Sequence, residues 1–200
     1  MNKLYISLYL CTILHADIVK INLITTNDIH GVISSQKANF MNPQYPPTIL
    51  GGAAFSKYVD KIKLDTKKNK EGLLILDGGN FFQGNPIGMA DDGKTMIEWM
   101  NRIGYDAIVP GSYDFISGAE NLNTLANLAN FPFLFSNIEC TTCPLISSNI
   151  IPYTIKNIAG IQVGVIGVVN SKLTELVLTE NLSGVTANKE IPNLKKWIAK

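Results

Sequence analysis

Apolar and polar residues alternate over residues 19–24 and stop alternating at Thr25-Thr26-Asn27-Asp28-Ile29-His30-Gly31, which predicts a first strand ending in a polar loop turned by a glycine. Residues 34–47 are polar and carry Pro43, Pro46 and Pro47, the mark of an irregular surface loop, and Gly51-Gly52 ends it. Phe55, Tyr58, Val59 and Ile62 then recur at helical spacing and predict a helix over residues 53–66, with Lys67-Lys68-Asn69-Lys70 as its solvated end. The unbroken apolar run Leu73-Leu74-Ile75-Leu76 reads as a strand buried on both faces that delivers Asp77-Gly78-Gly79-Asn80.

Residues 81–91 are loop-like, and Met96, Trp99, Met100 and Ile103 form the next helical stripe, a core face with Gly104 as its stop. Ala107-Ile108-Val109 is a short buried strand that runs into Pro110-Gly111-Ser112-Tyr113-Asp114-Phe115. Leu122, Leu125 and Ala129 mark a further helix, and Phe133-Leu134-Phe135 a strand that arrives at Ser136-Asn137. The cadence then breaks into a hairpin, residues 151–155 and 161–169 around a turn at 157–160, followed by a short amphipathic helix over 191–198.

Strand, polar loop and helix repeated in this order predict an α/β fold, a parallel or mixed sheet flanked by helices, whose strand-end loops share one cleft. Two hundred residues, 46% of them apolar, suffice for one core and one domain. A formal net charge of +1 gives no electrostatic footprint for nucleic acid or an anionic membrane surface. Met1-Asn2-Lys3, an apolar run over 4–14 and His15-Ala16 resemble a secretory signal cut after Ala16, too short to anchor in a bilayer. Residues 1–16 are therefore expected to be a leader and 17–200 the domain, placed outside the cell or in the periplasm; the competing reading is a buried first strand of a cytosolic protein. In an oxidising compartment Cys140 and Cys143 form a local disulfide at a loop tip or stand as bystanders, since no second pair exists to complete a zinc site. Asn181-Leu182-Ser183 is a glycosylation sequon, relevant to a eukaryotic secretory route.

Asp28 and His30, two residues apart at a strand end, can point at one cation; the competing reading is an Asx turn with an incidental histidine. The loops at 26–31, 76–84, 104–107 with 111–115, and 136–138, together with Gly51-Gly52 and the hairpin at 160–167, resemble the N-terminal metallophosphoesterase domain of the 5'-nucleotidase family, one of the calcineurin-like metallophosphoesterases. The resemblance implies a layered sandwich with a mixed sheet flanked by helices, here a partial domain incomplete at its C-terminus. It also implies two divalent metals (manganese, zinc or magnesium) that activate a water for displacement at a phosphoryl group.

Carried over by position, Asp28 and His30 match the first loop, whereas Asn80 stands where the family has a bridging aspartate, and Ser112 and Tyr113 stand where it has asparagine and histidine. Asp114 replaces a glutamate. An amide cannot supply the negative charge that lets two dications sit close together. A phenol, with a reference pKa near 10, serves badly as an imidazole-like acid. Asn80 and Ser112 have the alternative role of loop hydrogen bonding, and Tyr113 that of filling an imidazole's space. Later histidines of the family's metal shell have no counterpart, since His15 and His30 are the histidines of the chain. The first reading is a catalytically impaired, exported binding or accessory protein with a weak or partial cation site. The second is a metal-dependent phosphohydrolase of nucleotide phosphate esters, and the third a truncated product. The expected partners are a nucleotide or phosphate-ester ligand, and a second copy or partner chain over the truncated sheet edge.

Overall fold

The computed structural model describes residues 18–140 and 142–199; the predicted leader lies outside the described residues. In chain order the elements are β1 (Ile21–Thr26), β2 (Gln36–Lys37), β3 (Thr48–Ile49), α1 (Gly52–Asn69), β4 (Gly72–Asp77), α2 (Pro86–Met89), α3 (Lys94–Ile103) and β5 (Ala107–Ile108). A 3-10 turn at Ser112–Phe115 precedes α4 (Ala119–Leu128), β6 (Phe133–Leu134), β7 (Ile138–Cys140), β8 (Ile150–Ile151), β9 (Tyr153–Ile158) and β10 (Ile161–Ile166). The described chain ends with α5 (Leu173–Leu176), α6 (Thr179–Leu182), β11 (Val185–Ala187) and α7 (Glu190–Ile198).

The central sheet has the order β1-β4-β5-β6-β8, and every pair in it is parallel. Antiparallel pairing is found in β9–β10, β7–β11 and β2–β3, so the mixed character expected from the resemblance sits outside the main sheet. The crossover helices bury most of the stripe that their spacing predicts, although in α1 Tyr58 is exposed and Phe55 and Ile62 are half-buried. In α3, Met96, Ile97, Met100 and Ile103 are buried, and Gly104 ends the helix in the left-handed region with its N–H on Met100 O and Asn101 O. In α1, Val59 is buried and Phe55 packs on Trp99 with ring centroids 5.9 Å apart. Lys67 and Lys68 lie in the last turn, where a positive charge meets the negative end of the helix dipole. Phe81, Phe82, Phe115 and Phe133 complete the centre of the core.

Several boundaries differ from the sequence expectation for identifiable reasons. Residues 34–47 are not wholly irregular, because Gln36 and Lys37 pair with Ile49 and Thr48. Within 81–91, Asn85 caps α2 by accepting from Ile87 N–H, with Pro86 at the first helical position. Ile151 joins the central sheet opposite Leu134 instead of opening the hairpin. The hairpin turns at Ala159 and Gly160, both at positive φ, while Asn157 Oδ1 accepts from Gly160 N–H. That hairpin is bound to the sheet by Lys156, whose ammonium lies 2.8 Å from Asp106, and Gly72 leaves room for Ile158 beside it. Cys140 and Cys143 are joined in a disulfide at the end of β7.

Candidate functional site

β1 and β4 run in register from Ile21 opposite Gly72 to Thr26 opposite Asp77, and their pairing continues beyond the strand ends. Gly78 N–H donates to Thr26 O (2.8 Å), Asp28 N–H to Gly79 O (3.0 Å), His30 N–H to Asn80 O (2.9 Å) and Gly31 N–H to Phe81 O (2.9 Å). These zipped loops hold Asp28, His30 and Asn80 at φ of +53°, +52° and +57°. The left-handed region costs an ordinary residue roughly 1–2 kcal/mol, and short polar side chains tolerate it best. Three strained residues thus face one another across two loops.

Asp28 is the centre of the cluster. Asn80 Nδ2 donates to Asp28 Oδ1 at 2.7 Å, Asn27 Nδ2 donates to Oδ2 at 2.5 Å, and His30 Nε2 stands 3.7 Å from Oδ1. His30 Nδ1 lies 2.7 Å from the carbonyl oxygen of Gln83, so in the neutral ring Nδ1 carries the proton and Nε2 presents its lone pair. Tyr113 N–H donates to Asn80 Oδ1 at 3.0 Å. A backbone N–H can only donate, so this contact fixes the orientation of the amide and turns its nitrogen toward Asp28. Gly111 makes the approach possible, because a Cβ there would lie 2.1 Å from Asn80 Oδ1.

The third loop is held by a buried carboxylate. Asp114 accepts from Asn80 N–H (2.6 Å), Phe81 N–H (2.9 Å) and Gly111 N–H (2.9 Å), clasping the ends of β4 and β5 together. Burial pushes its carboxyl up to about 7 against the pull of those donors. Behind Asp28, Asp77 accepts from Thr26 Oγ1 (2.6 Å) and Gly79 N–H (2.8 Å), and Thr26 Oγ1 lies 2.8 Å from the Tyr105 hydroxyl. Burial raises Asp77 to about 6, helped slightly by the charge of Asp28, and burial also raises the Tyr105 phenol.

The structure therefore brings Asp28, His30 and Asn80 together, as the sequence reading expects, and sets the Tyr113 ring edge-on to His30 at 5.5 Å between centroids. Among the described residues, the Ser112 hydroxyl makes no hydrogen bond to any of them. The fourth loop has a separate structural role: Asn137 donates to Val169 O and Asn188 O and accepts from Val169 N–H. Sequence reasoning missed Asn27, Gln83 and the clasp made by Asp114. An aspartate three residues into a turn that begins at glycine is the local signal for the last of these.

The donor set can be tested against the metals that the resemblance implies. Asp28 Oδ1 and His30 Nε2 converge and suit a single cation whose remaining positions are water. A second, bridged cation does not fit, because Asn80 carries no charge and presents its NH₂ group, not its oxygen, to Asp28. Among the described residues, no group of three or more histidine, cysteine, aspartate or glutamate side chains could hold a metal ion. Beside the cluster lies a cleft of about 410 Å³ lined by Asp28, His30, Gln36, Leu50, Phe55 and Trp99.

The chain is 30% identical over 182 residues to a 5'-nucleotidase of Vibrio cholerae, a match that spans 90% of this chain and 31% of that protein. The chain belongs to the 5'-nucleotidase-like metallophosphoesterase family. A snake venom 5'-nucleotidase of Gloydius brevicauda is 32% identical over 151 residues, 74% of this chain and 25% of the relative. Among solved structures, the 5'-nucleotidase precursor from Thermus thermophilus superposes with a TM-score of 0.78 at 21% identity, covering 88% of this chain and 33% of that one. A calcineurin-like phosphoesterase from Bacillus subtilis superposes at 0.62 with 23% identity, covering 88% of this chain and 56% of that one. No protein-family model matches the chain. The chain thus spans about a third or less of the curated family members it matches, and shares their fold across most of its own length.

Proposed function

We propose that this chain is an exported member of the 5'-nucleotidase-like family that is catalytically impaired and acts as a binding or accessory protein for a nucleotide or phosphate ester. The observation that carries the proposal is the orientation of Asn80, whose amide nitrogen serves Asp28 and whose oxygen serves Tyr113 N–H. A side chain so oriented offers neither the charge nor an oxygen facing Asp28 with which to bridge two cations. Ser112 and Tyr113 add no imidazole to replace what is missing. Removing groups that act in a transition state costs orders of magnitude in rate, at about 1.4 kcal/mol for each factor of ten. A single cation held weakly by Asp28 and His30 is compatible with binding a phosphate. Export is supported by the leader-like residues 1–16 and by the venom origin of one relative.

The test pairs a phosphate-release assay on nucleoside monophosphates, in manganese, zinc or magnesium, with calorimetric titration of AMP. The expected result is saturable binding without release above the blank. Metal-dependent release that is lost in Asp28→Ala would establish the phosphohydrolase reading in its place. Absence of both binding and release would end both readings.

A further inference from the structure

We infer that Asn80 replaces a cation by a hydrogen bond, so that the strand-end loops are closed without metal and one substitution makes that closure metal-dependent. The inference rests on the reading of an impaired site and concerns how the loops are held, which can be measured apart from turnover. Asp28 carries a negative charge between two loops, and its two oxygens each receive an amide N–H, from Asn80 at 2.7 Å and Asn27 at 2.5 Å. Those donors supply the partial positive charge that a bound cation would otherwise supply at an anion held so close to another loop.

The amide is anchored at its other end by Tyr113 N–H, so it cannot turn its oxygen toward a cation beside Asp28 without leaving that N–H without a partner. The space is matched to it, since Gly111 lacks the Cβ that would strike Asn80 Oδ1 and Asp114 holds the Asn80 backbone N–H at 2.6 Å. A carboxylate at position 80 would keep the bond from Tyr113 N–H but would set one of its oxygens against Asp28 Oδ1 with no proton between them. Two carboxylates in that position demand a cation or a shared proton. Exchanging the two groups, a carboxylate at 80 and an amide at 28, would restore one donor and one acceptor, and the closure should return without metal.

Thermal unfolding of the full chain is followed for the wild type, Asn80→Asp, Asp28→Asn and the double variant Asn80→Asp with Asp28→Asn, each in EDTA and in millimolar manganese. The wild type is expected to move by no more than about 2 °C between the two conditions. Asn80→Asp is expected to lose roughly 5–10 °C in EDTA and to recover most of it in manganese. The double variant is expected to regain most of the loss in EDTA itself. Two manganese ions per wild-type chain by elemental analysis, or Asn80→Asp as stable in EDTA as the wild type, would overturn the inference. The wild-type metal count decides the matter even where the single variant does not fold. Nucleotide turnover by the wild type, together with these unfolding results, would sink the impaired-site reading while leaving the closure by Asn80 in place.

Discussion

Substitution of Asp114 tests how the candidate site is supported, because one fully buried carboxylate satisfies three backbone N–H groups from two loops. Asp114→Ala leaves all three donors buried without partners, at about 1–3 kcal/mol each, for an expected loss of roughly 3–6 kcal/mol after partial relaxation. Against a total domain stability on the order of 5–15 kcal/mol, that is enough to leave the protein on the edge of unfolding. Asp114→Asn keeps one oxygen. Its better orientation places that oxygen where it serves Asn80 and Gly111, and turns the NH₂ group toward Phe81 N–H, so one donor is lost and the cost falls to about 1–3 kcal/mol. Urea unfolding followed by the fluorescence of Trp99 and Trp197 gives both values, and the expected order of stability is wild type, then Asn, then Ala. An alanine variant within about 1 kcal/mol of the wild type would refute the clasp, since surface substitutions have effects of that size or smaller.

The pH dependence of stability follows from the same buried acids. Asp77 and Asp114 hold their protons more tightly when folded, at about 6 and about 7, than at their ordinary value of 3.8. Between 3.8 and those values the folded state binds protons that the unfolded state has released, so stability falls as pH rises through that window; Asp77 alone contributes roughly 3 kcal/mol. A melting temperature higher at pH 5 than at pH 8, with the difference reduced in Asp77→Asn, is the expected outcome. Gly79→Ala should cost at least about 3 kcal/mol, because Gly79 has φ +99° and a Cβ would lie 2.3 Å from Gly111 N, and urea unfolding measures it. Cys140→Ser with Cys143→Ser opens a loop of sequence separation 3 and should lower stability by about 2 kcal/mol, read as the shift in unfolding midpoint between oxidised wild type and variant. Leu23, Ile155 and Ile161 are exposed, and an apolar cleft of about 350 Å³ lined by Leu76, Val109, Leu134 and Val165 lies between the central sheet and β10. Sedimentation at rising concentration is therefore expected to show self-association, and a clean monomer would refute it.

How far the chain could be read from its residues depends on how each element is stabilised. α1, α3 and β4 have long enough periods for the apolar stripe alone to identify them, and the structure extends them by a few residues at most. The two-residue strands β2, β3 and β8 have no period to detect, and each forms only where it pairs, β2 with β3 and β8 with β6. β7 and β11 pair across more than forty residues, so nothing local announces that pair. At the site, strand-end position sufficed to gather Asp28, His30 and Asn80. What could not be read was direction: an asparagine in the sequence does not say which end of its amide meets which neighbour, and Tyr113 N–H decides that in three dimensions. Asn137 shows the same limit, since an asparagine at a strand end serves backbone as readily as chemistry and here bonds the backbone of Val169 and Asn188.

The clasp made by Asp114 also sets an order of events during synthesis. Its carboxylate meets the N–H groups of Asn80 and Phe81 across 34 and 33 residues of chain. A chain emerges N-terminus first at about 5–20 residues per second. β1, α1 and β4 can therefore dock while residue 114 is still being added, and for some seconds the loop at Asn80 waits with its N–H groups uncovered. Closing a long loop precedes the reward of a non-local contact, so the cluster that opens the sequence is among the last parts to become rigid. A ribosome that pauses between residues 81 and 114 would hold a half-built sheet with an open strand edge, which is where a chaperone or a second nascent chain would first bind.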